Sequence, residues 1–531
     1  MMSEFPAYDE IKSQLNLGEK VGQLFMPAAF INDSEAEIEK LESLIEKGQV
    51  GGLCFFHSRA SAATNFEGPK EIPYNENSLG RLQQLIERYQ RSARYPLLMA
   101  IDAEWGLAMR VERAPQYPYA LTLGALNRSS ENLLYELGLR MAQDCREVGI
   151  HLNLAPVVDI NTDPENPVIG YRAFGSDPEA VSRKATLLHR GLADGGILSC
   201  AKHFPGHGDT AVDSHLNLPV LDKGLADLAD EELLPFKALI EAHVPVIMTG
   251  HLSLPQLDPS SLPASLSQPI IRVLRDMKFE GAIITDALNM HALKGVSAQP
   301  ETLNLRAIQA GNDILCYAER IPESIELILN EVSGPRIEAS FKRIWDLKSL
   351  AFLGTSEFIA SKSDPAALNP QLARECLIEL GDAQAADAAF RKEGFELIAI
   401  GQTPEVFVKT LREVHDFKTY TCSSGVGFSK DTGVQSQNIL LTLQPPHMKP
   451  KDFFGLPSTL LNELAVLSDE KNIVLYLFGN PYVLAKLPLN LFSGVVCAFQ
   501  SQPVFQETAA EHFLGRIQAK GEIPIELDYD N

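Results

Sequence analysis

Over the first 350 or so residues, short apolar runs alternate with longer stretches whose apolar positions recur at helical spacing. The runs at 21–26 (VGQLFM), 50–56 (VGGLCFF), 96–101 (PLLMAI) and 151–158 (HLNLAPVV) read as strands, as do 197–203, 244–250, 282–286 and 313–317. They are near-continuously apolar rather than alternating, as expected of parallel strands covered on both faces. Segments between them, such as 34–47 and 179–193, read as amphipathic helices. Eight such units predict an α/β fold with an N-terminal (β/α)8 barrel, an open doubly wound sheet being the alternative. Asp102, Asp159, Lys202 with His203, His251 and Asp286 fall at the C-terminal ends of these runs. Barrel enzymes assemble their sites at that end, although any one such residue could merely cap a loop.

A helical stretch at 336–353 stops at Gly354, a plausible C-cap, and the Ser/Ala/Pro-rich residues 355–370 read as a linker. Further strand-like runs at 396–400, 438–443, 472–478 and 494–499 alternate with helical stretches. The expected organisation is therefore a barrel over 1–354, a linker over 355–370 and a smaller α/β sandwich over 371–531.

Composition narrows the partners. Acidic residues number 69 against 46 basic ones, a net charge of −23, which argues against a nucleic acid or an anionic membrane as partner. No run approaches the 18 or so apolar residues of a membrane span, and the first residues lack the basic start and apolar core of a secretory signal. A cytoplasmic location is the expectation. The seven cysteines (54, 145, 200, 316, 376, 422 and 497) are scattered without a C-x-x-C pair, which suits reduced thiols. Oligomeric state is not legible.

The densest chemistry lies in residues 202–215, Lys-His-Phe-Pro-Gly-His-Gly-Asp-Thr-Ala-Val-Asp-Ser-His. Pro205, Gly206 and Gly208 forbid a regular helix, so this is a polar loop leaving a strand. It could be a plain surface loop. It could hold a metal through His203, His207 and His215 with Asp209 or Asp213, though helical ligand spacing cannot cross Pro205-Gly206. Or it is catalytic, with Asp213 orienting His215 as a general acid. Asp286, ending an apolar strand, is placed either as a carboxylate nucleophile or as a helix N-cap.

These segments together resemble the bacterial β-N-acetylglucosaminidases of glycoside hydrolase family 3, of two-domain type. The likeness rests on 202–215 and on Thr285-Asp286-Ala287-Leu288 through Met290. Asn153 to Asp159, Asn166 to Gly170 with Arg172 and Phe174-Gly175, Met248 to His251, and Ala310 to Asp313 follow in the family's order. It covers about residues 15–350. The resemblance implies a retaining exo-β-N-acetylglucosaminidase with Asp286 as nucleophile and His215, assisted by Asp213, as acid/base. It implies that Asp102, Arg110, Arg172, Lys202 and His203 bind the sugar, with no cofactor and no metal. The implied substrate is a small glycan fragment with terminal N-acetylglucosamine, commonly derived from peptidoglycan.

One departure is Asp102-Ala103-Glu104-Trp105-Gly106-Leu107, where the family reads D-x-E-G-G-R; Trp105 either stacks on a sugar or packs between loops. In the second domain, Gly425-Val426-Gly427 lacks the third glycine of a dinucleotide fingerprint, so nucleotide binding is not expected; with His215 as the acid/base that the resemblance implies, the domain is expected to be structural. Three alternatives remain: a β-glucosidase or β-xylosidase drawing an acid/base Glu from 371–531, a β-N-acetylglucosaminide phosphorylase, and a catalytically dead sugar-binding protein.

Overall fold

The computed structural model describes residues 5–59, 72–210, 218–352, 358–361, 364–422 and 434–527, which form two compact units. The first comprises Met1–Tyr117, Leu134–Ile160 and Val181–Ser363; the second comprises Pro118–Leu133, Asn161–Ala180 and Asp364–Asn531.

In the first unit, strands β2 (Ala28–Phe30), β3 (Gly52–Phe56), β4 (Leu98–Ile101), β5 (Leu152–Asn153), β6 (Leu198–Phe204), β7 (Val246–Thr249) and β8 (Ala282–Thr285) pair in sequence order. Every pairing is parallel. The circle continues beyond β8, where Ile284 bridges Ile314 and β9 (Leu315–Cys316) pairs with β1 (Phe25–Met26). Pro27, which has no N–H to offer a ladder, separates β1 from β2. The result is the TIM-like barrel that the alternation of runs predicts. Its helices follow their sequence signals: Glu35–Glu46 starts at Ser34 with a capping box to Glu37, and Pro178–Asp194 and Gly334–Phe352 fall where expected. Gly354 lies outside the described residues.

The run at 21–26 is corrected. Residues Leu17–Gly22 are a helix, started by a capping box between Asn16 and Glu19, and strand geometry begins only at Phe25. The run at 151–158 pairs regularly only over Leu152–Asn153, because Pro156 interrupts the ladder. The N-terminal residues Phe5, Ile11 and Leu15 pack on Phe341 and Trp345 of the last barrel helix, and Trp345 Nε1 donates to the Pro6 carbonyl at 2.8 Å.

The second unit holds β10 (Ile378–Gly381), β11 (Glu396–Gly401), β12 (Thr419–Cys422), β13 (Asn438–Gln444), β14 (Asn472–Leu477) and β15 (Gly494–Cys497). Their order is β10-β15-β14-β13-β11-β12, parallel except for β10 against β15. This is the smaller sandwich domain, with helices packing on the sheet around Phe407, Tyr476, Phe478 and Phe513. A helix, Pro365–Cys376, begins within the stretch read as linker. Two earlier segments join this unit. Gln500 Oε1 accepts from the Tyr119 N–H at 3.0 Å and the Thr122 hydroxyl at 2.9 Å, and Ser176 N–H donates to the Pro524 carbonyl. Gly175, at φ +145°, admits that approach because a Cβ there would lie 2.3 Å from the Pro524 oxygen. Residues 425–427 lie outside the described residues.

Candidate active site

Successive barrel strands deliver ionisable side chains to one end of the barrel. Asp102 directly follows β4, and Lys202 and His203 are the last polar residues of β6. Lys202 Nζ donates to Asp102 Oδ1 at 2.9 Å, and Arg110 Nη2 donates to Asp102 Oδ2 at 2.7 Å. Burial pushes the Asp102 carboxyl up, but the two cations outweigh it and hold it well below the usual carboxylate range. Glu104 completes the cluster, with Oε1 2.7 Å from Lys202 Nζ. Two cations thus face two carboxylates, the balance that makes so buried a lysine tolerable, since its side chain is only 2% exposed.

A second node is built on Asp159. Its Oδ2 lies 2.7 Å from His203 Nδ1, while its Oδ1 accepts the backbone N–H of His203 at 3.1 Å and of His207 at 2.8 Å. Burial raises this carboxyl, and His203 and His207 more than offset that, so it too is lowered. One carboxylate therefore fixes the His203 ring, through Nδ1, and the backbone on both sides of Phe204-Pro205-Gly206. His207 Nδ1 in turn meets Thr210 Oγ1 at 2.8 Å.

Asp286 directly follows β8. Its N–H donates to the Thr249 carbonyl at 2.9 Å, and its Oδ1 accepts from the Ala287 N–H at 2.7 Å. The turn beyond it is held by His251, whose Nε2 donates to the Ala287 carbonyl at 3.0 Å while Nδ1 accepts from Ser265 Oγ at 2.7 Å. Asn312 Nδ2 donates to the Ser265 carbonyl, and Thr249 Oγ1 donates to Asn312 Oδ1. Asp286 is thus half-buried on a turn held by His251, whose ring Ser265 fixes in turn, which suits a group that must meet one atom of a ligand repeatedly.

Of the residues singled out in the sequence, Asp102, Arg110, Lys202, His203 and Asp286 belong to the barrel unit, and the hydrogen bonds above join the first three. Arg172 belongs to the second unit, where its Nη1 donates to the Val168 carbonyl at 3.2 Å. Asp213 and His215 lie outside the described residues. Glu104, Asp159 and His251 carry structural weight that spacing alone did not assign, although each stood in a quoted motif or at a strand end. Trp105 is half-buried, and its carbonyl accepts the Tyr117 N–H. Among the described residues, no three His, Cys, Asp or Glu side chains converge as metal ligands, and no helix is long and apolar enough to cross a membrane.

The Glycosyl hydrolase family 3 N terminal domain matches residues 16–347. A beta-hexosaminidase A of Pseudoalteromonas piscicida is 30% identical over 339 residues, 58% of this chain and 55% of that protein, so the chain spans about half of this relative's length. A beta-hexosaminidase of Hydrogenovibrio crunogenus is 33% identical over 280 residues, 51% of this chain and 77% of the relative. Among solved structures, a glycoside hydrolase family 3 beta-N-acetylglucosaminidase from Paenibacillus sp. covers 97% of this chain and 100% of its own at TM-score 0.74 and 23% identity. A beta-glucoside phosphorylase bound to 2FGlc covers 98% and 97% at TM-score 0.80 and 20% identity. At these identities the two structures speak for the fold.

Proposed function

The chain belongs to glycosyl hydrolase family 3, and on that premise we propose that it is a retaining exo-β-N-acetylglucosaminidase acting in two displacement steps. In the first, an Asp286 oxygen attacks the anomeric carbon as the bond to the leaving oxygen breaks, and His215 supplies that oxygen's proton. In the second, His215 takes a proton from water, whose oxygen displaces Asp286 and releases the sugar with its configuration retained. Asp213 orients the His215 ring and favours its charged form. The acid/base is then a histidine, where most retaining enzymes use a second carboxylic acid.

Asp102, Arg110, Lys202 and His203, all of the barrel unit, hold the sugar. The observation that carries the reading is Asp102, ionised between Lys202 and Arg110 at the barrel end that bears Asp286. Its oxygens retain lone pairs for two sugar hydroxyls, while the cations donate to ring and hydroxyl oxygens. Relatives named beta-hexosaminidase support the N-acetylated sugar. A fragment of peptidoglycan bearing terminal β-linked N-acetylglucosamine is the physiological substrate that follows, met in the cytoplasm.

The test is an assay of p-nitrophenyl β-N-acetylglucosaminide beside the β-glucoside, with and without phosphate. Cleavage confined to the N-acetylated substrate is expected. Preference for the glucoside overturns the sugar assignment, and a rate that requires phosphate replaces hydrolysis by phosphorolysis.

A further inference from the structure

Among the described residues, Arg110 makes one side-chain hydrogen bond, to Asp102, and its buried Nε meets no acceptor. A guanidinium gripped at one tip keeps its torsional freedom unless packing removes it. Two consecutive residues where β3 ends supply that packing. The Phe56 ring faces the guanidinium, with Arg110 Cζ 5.1 Å from the ring centroid. The next residue, His57, reaches past Arg110 to Glu112, with Nε2 2.5 Å from Oε1. Asn75 N–H donates to the same Glu112 oxygen at 3.1 Å, and Asn32 Nδ2 donates to the His57 carbonyl at 3.1 Å. Both members of the pair are largely shielded, at 11% and 16% side-chain exposure, so water competes for the contact far less than at the surface. Phe56 thus steadies the guanidinium while His57 pins the chain two residues beyond it.

We propose that the His57–Glu112 pair is the positioning device for Arg110, setting how tightly the barrel holds its sugar. The proposal rests on the reading of Arg110 as a sugar-binding residue. Neither His57 nor Glu112 needs to touch the sugar. Their influence travels through the Arg110 backbone and, with Phe56, through its guanidinium.

Kinetics with whichever aryl β-glycoside the wild type turns over test this separately from the choice of sugar. His57→Ala is expected to raise KM about 5- to 20-fold with kcat within about 3-fold. His57→Gln, which keeps an N–H for Glu112, recovers most of that loss, and Glu112→Gln, which keeps the shape without the charge, raises KM about 2- to 5-fold. In an Arg110→Ala background, adding His57→Ala changes kcat/KM by less than about twofold, because the residue it positions is gone. Equal losses in both backgrounds, or an unchanged KM in the single variants, overturn the proposal. Should His57→Ala not fold, the Glu112→Gln pair with and without Arg110→Ala reads the same coupling. A wild type that cleaves only the glucoside defeats the sugar assignment and leaves this cycle readable.

Discussion

The barrel unit and the sandwich unit are built from the same parallel strand and helix pattern, yet they place their buried polar groups differently. In the barrel, Asp102, Lys202 and Asp286 sit where strands end and Asp159 on the segment beyond β5, and all four are matched by opposite charge or by backbone N–H donors. In the sandwich, the buried Asp387, Tyr476 and His512 lie within two helices and a strand and bond mainly to one another and to the partly exposed Glu379. Tyr476 Oη donates to Asp387 Oδ2 at 2.5 Å and lies 2.9 Å from His512 Nδ1, and His512 Nε2 lies 3.3 Å from Glu379 Oε2. A polar group at a strand end can meet a ligand, whereas one enclosed between a sheet and its helices can meet only other protein groups. Placement, rather than the number of buried charges, separates the unit expected to do chemistry from the one expected to do none.

The sharpest way to break that comparison is to remove the nucleophile. Asp286→Ala is expected to lower kcat by about 10⁴-fold or more while Asp387→Asn leaves kcat/KM within about twofold. Comparable losses in both would erase the distinction. His215→Ala should cost about 10²- to 10⁴-fold on poor leaving groups and far less on an activated aryl glycoside, which needs little protonation to depart. Equal losses on both substrates would remove His215 from the acid's role.

Lys202→Met is next in size. It leaves Asp102 and Glu104 buried with Arg110 as the remaining cation of the cluster, so kcat/KM is expected to fall by about 10²- to 10³-fold. A melting temperature lowered in parallel would mark the cost of the unpaired carboxylate, and an unchanged KM would argue against a grip on the sugar.

Lys202 and its partners also show what the sequence could and could not reveal. Asp102, Lys202 and Asp286 were legible because each ends an apolar run, and strand ends are where barrel sites form. That Glu104 would reach Lys202, or that Asp159 would tie down both His203 and His207, depends on neighbouring strands meeting in space, which no spacing encodes. The same limit hid the association of 118–133 and 161–180 with the C-terminal sheet. In the C-terminal sheet, the two unforeseen strands, β10 (IELG) and β12 (TYTC), lie at the edges, where partial exposure dilutes the apolar run that marks the central ones. An apolar run does not distinguish helix from strand, so 21–26 alone does not reveal the helix Leu17–Gly22, yet Asn16 and Glu19, three apart, carry its start signal.

Each unit also encloses one ionisable group whose titration reports on its own stability, and the two point in opposite directions. In the barrel, Lys348 is fully buried with Nζ 2.7 Å from Gln23 Oε1, and burial brings its ammonium down to about 7. Its unfolded form stays protonated to a higher pH, so the barrel should gain stability as pH rises from about 7 towards 10, by a few kcal/mol. Lys348→Met is expected to abolish that slope in calorimetric unfolding.

Asp387 should give the smaller effect with the reverse sign. Burial, against the hydrogen bond from Tyr476 and the charge of Arg391, raises its carboxyl to about 7, and among the described residues its Oδ1 accepts no hydrogen bond. Glu379 adds to the rise, while His512, lowered by burial, offers little compensating charge. Below about pH 4 both folded and unfolded forms hold the proton and nothing is lost. Between about 4 and 7 the unfolded chain releases it first, so the sandwich loses stability as pH rises, by on the order of 1–3 kcal/mol. Asp387→Asn keeps the shape and an acceptor for Tyr476, so it should leave the melting temperature unchanged at pH 4 and raise it at pH 8. A variant less stable at pH 8 would mean that the wild-type carboxylate is ionised and well paired, and the sandwich would then resemble the barrel mouth after all.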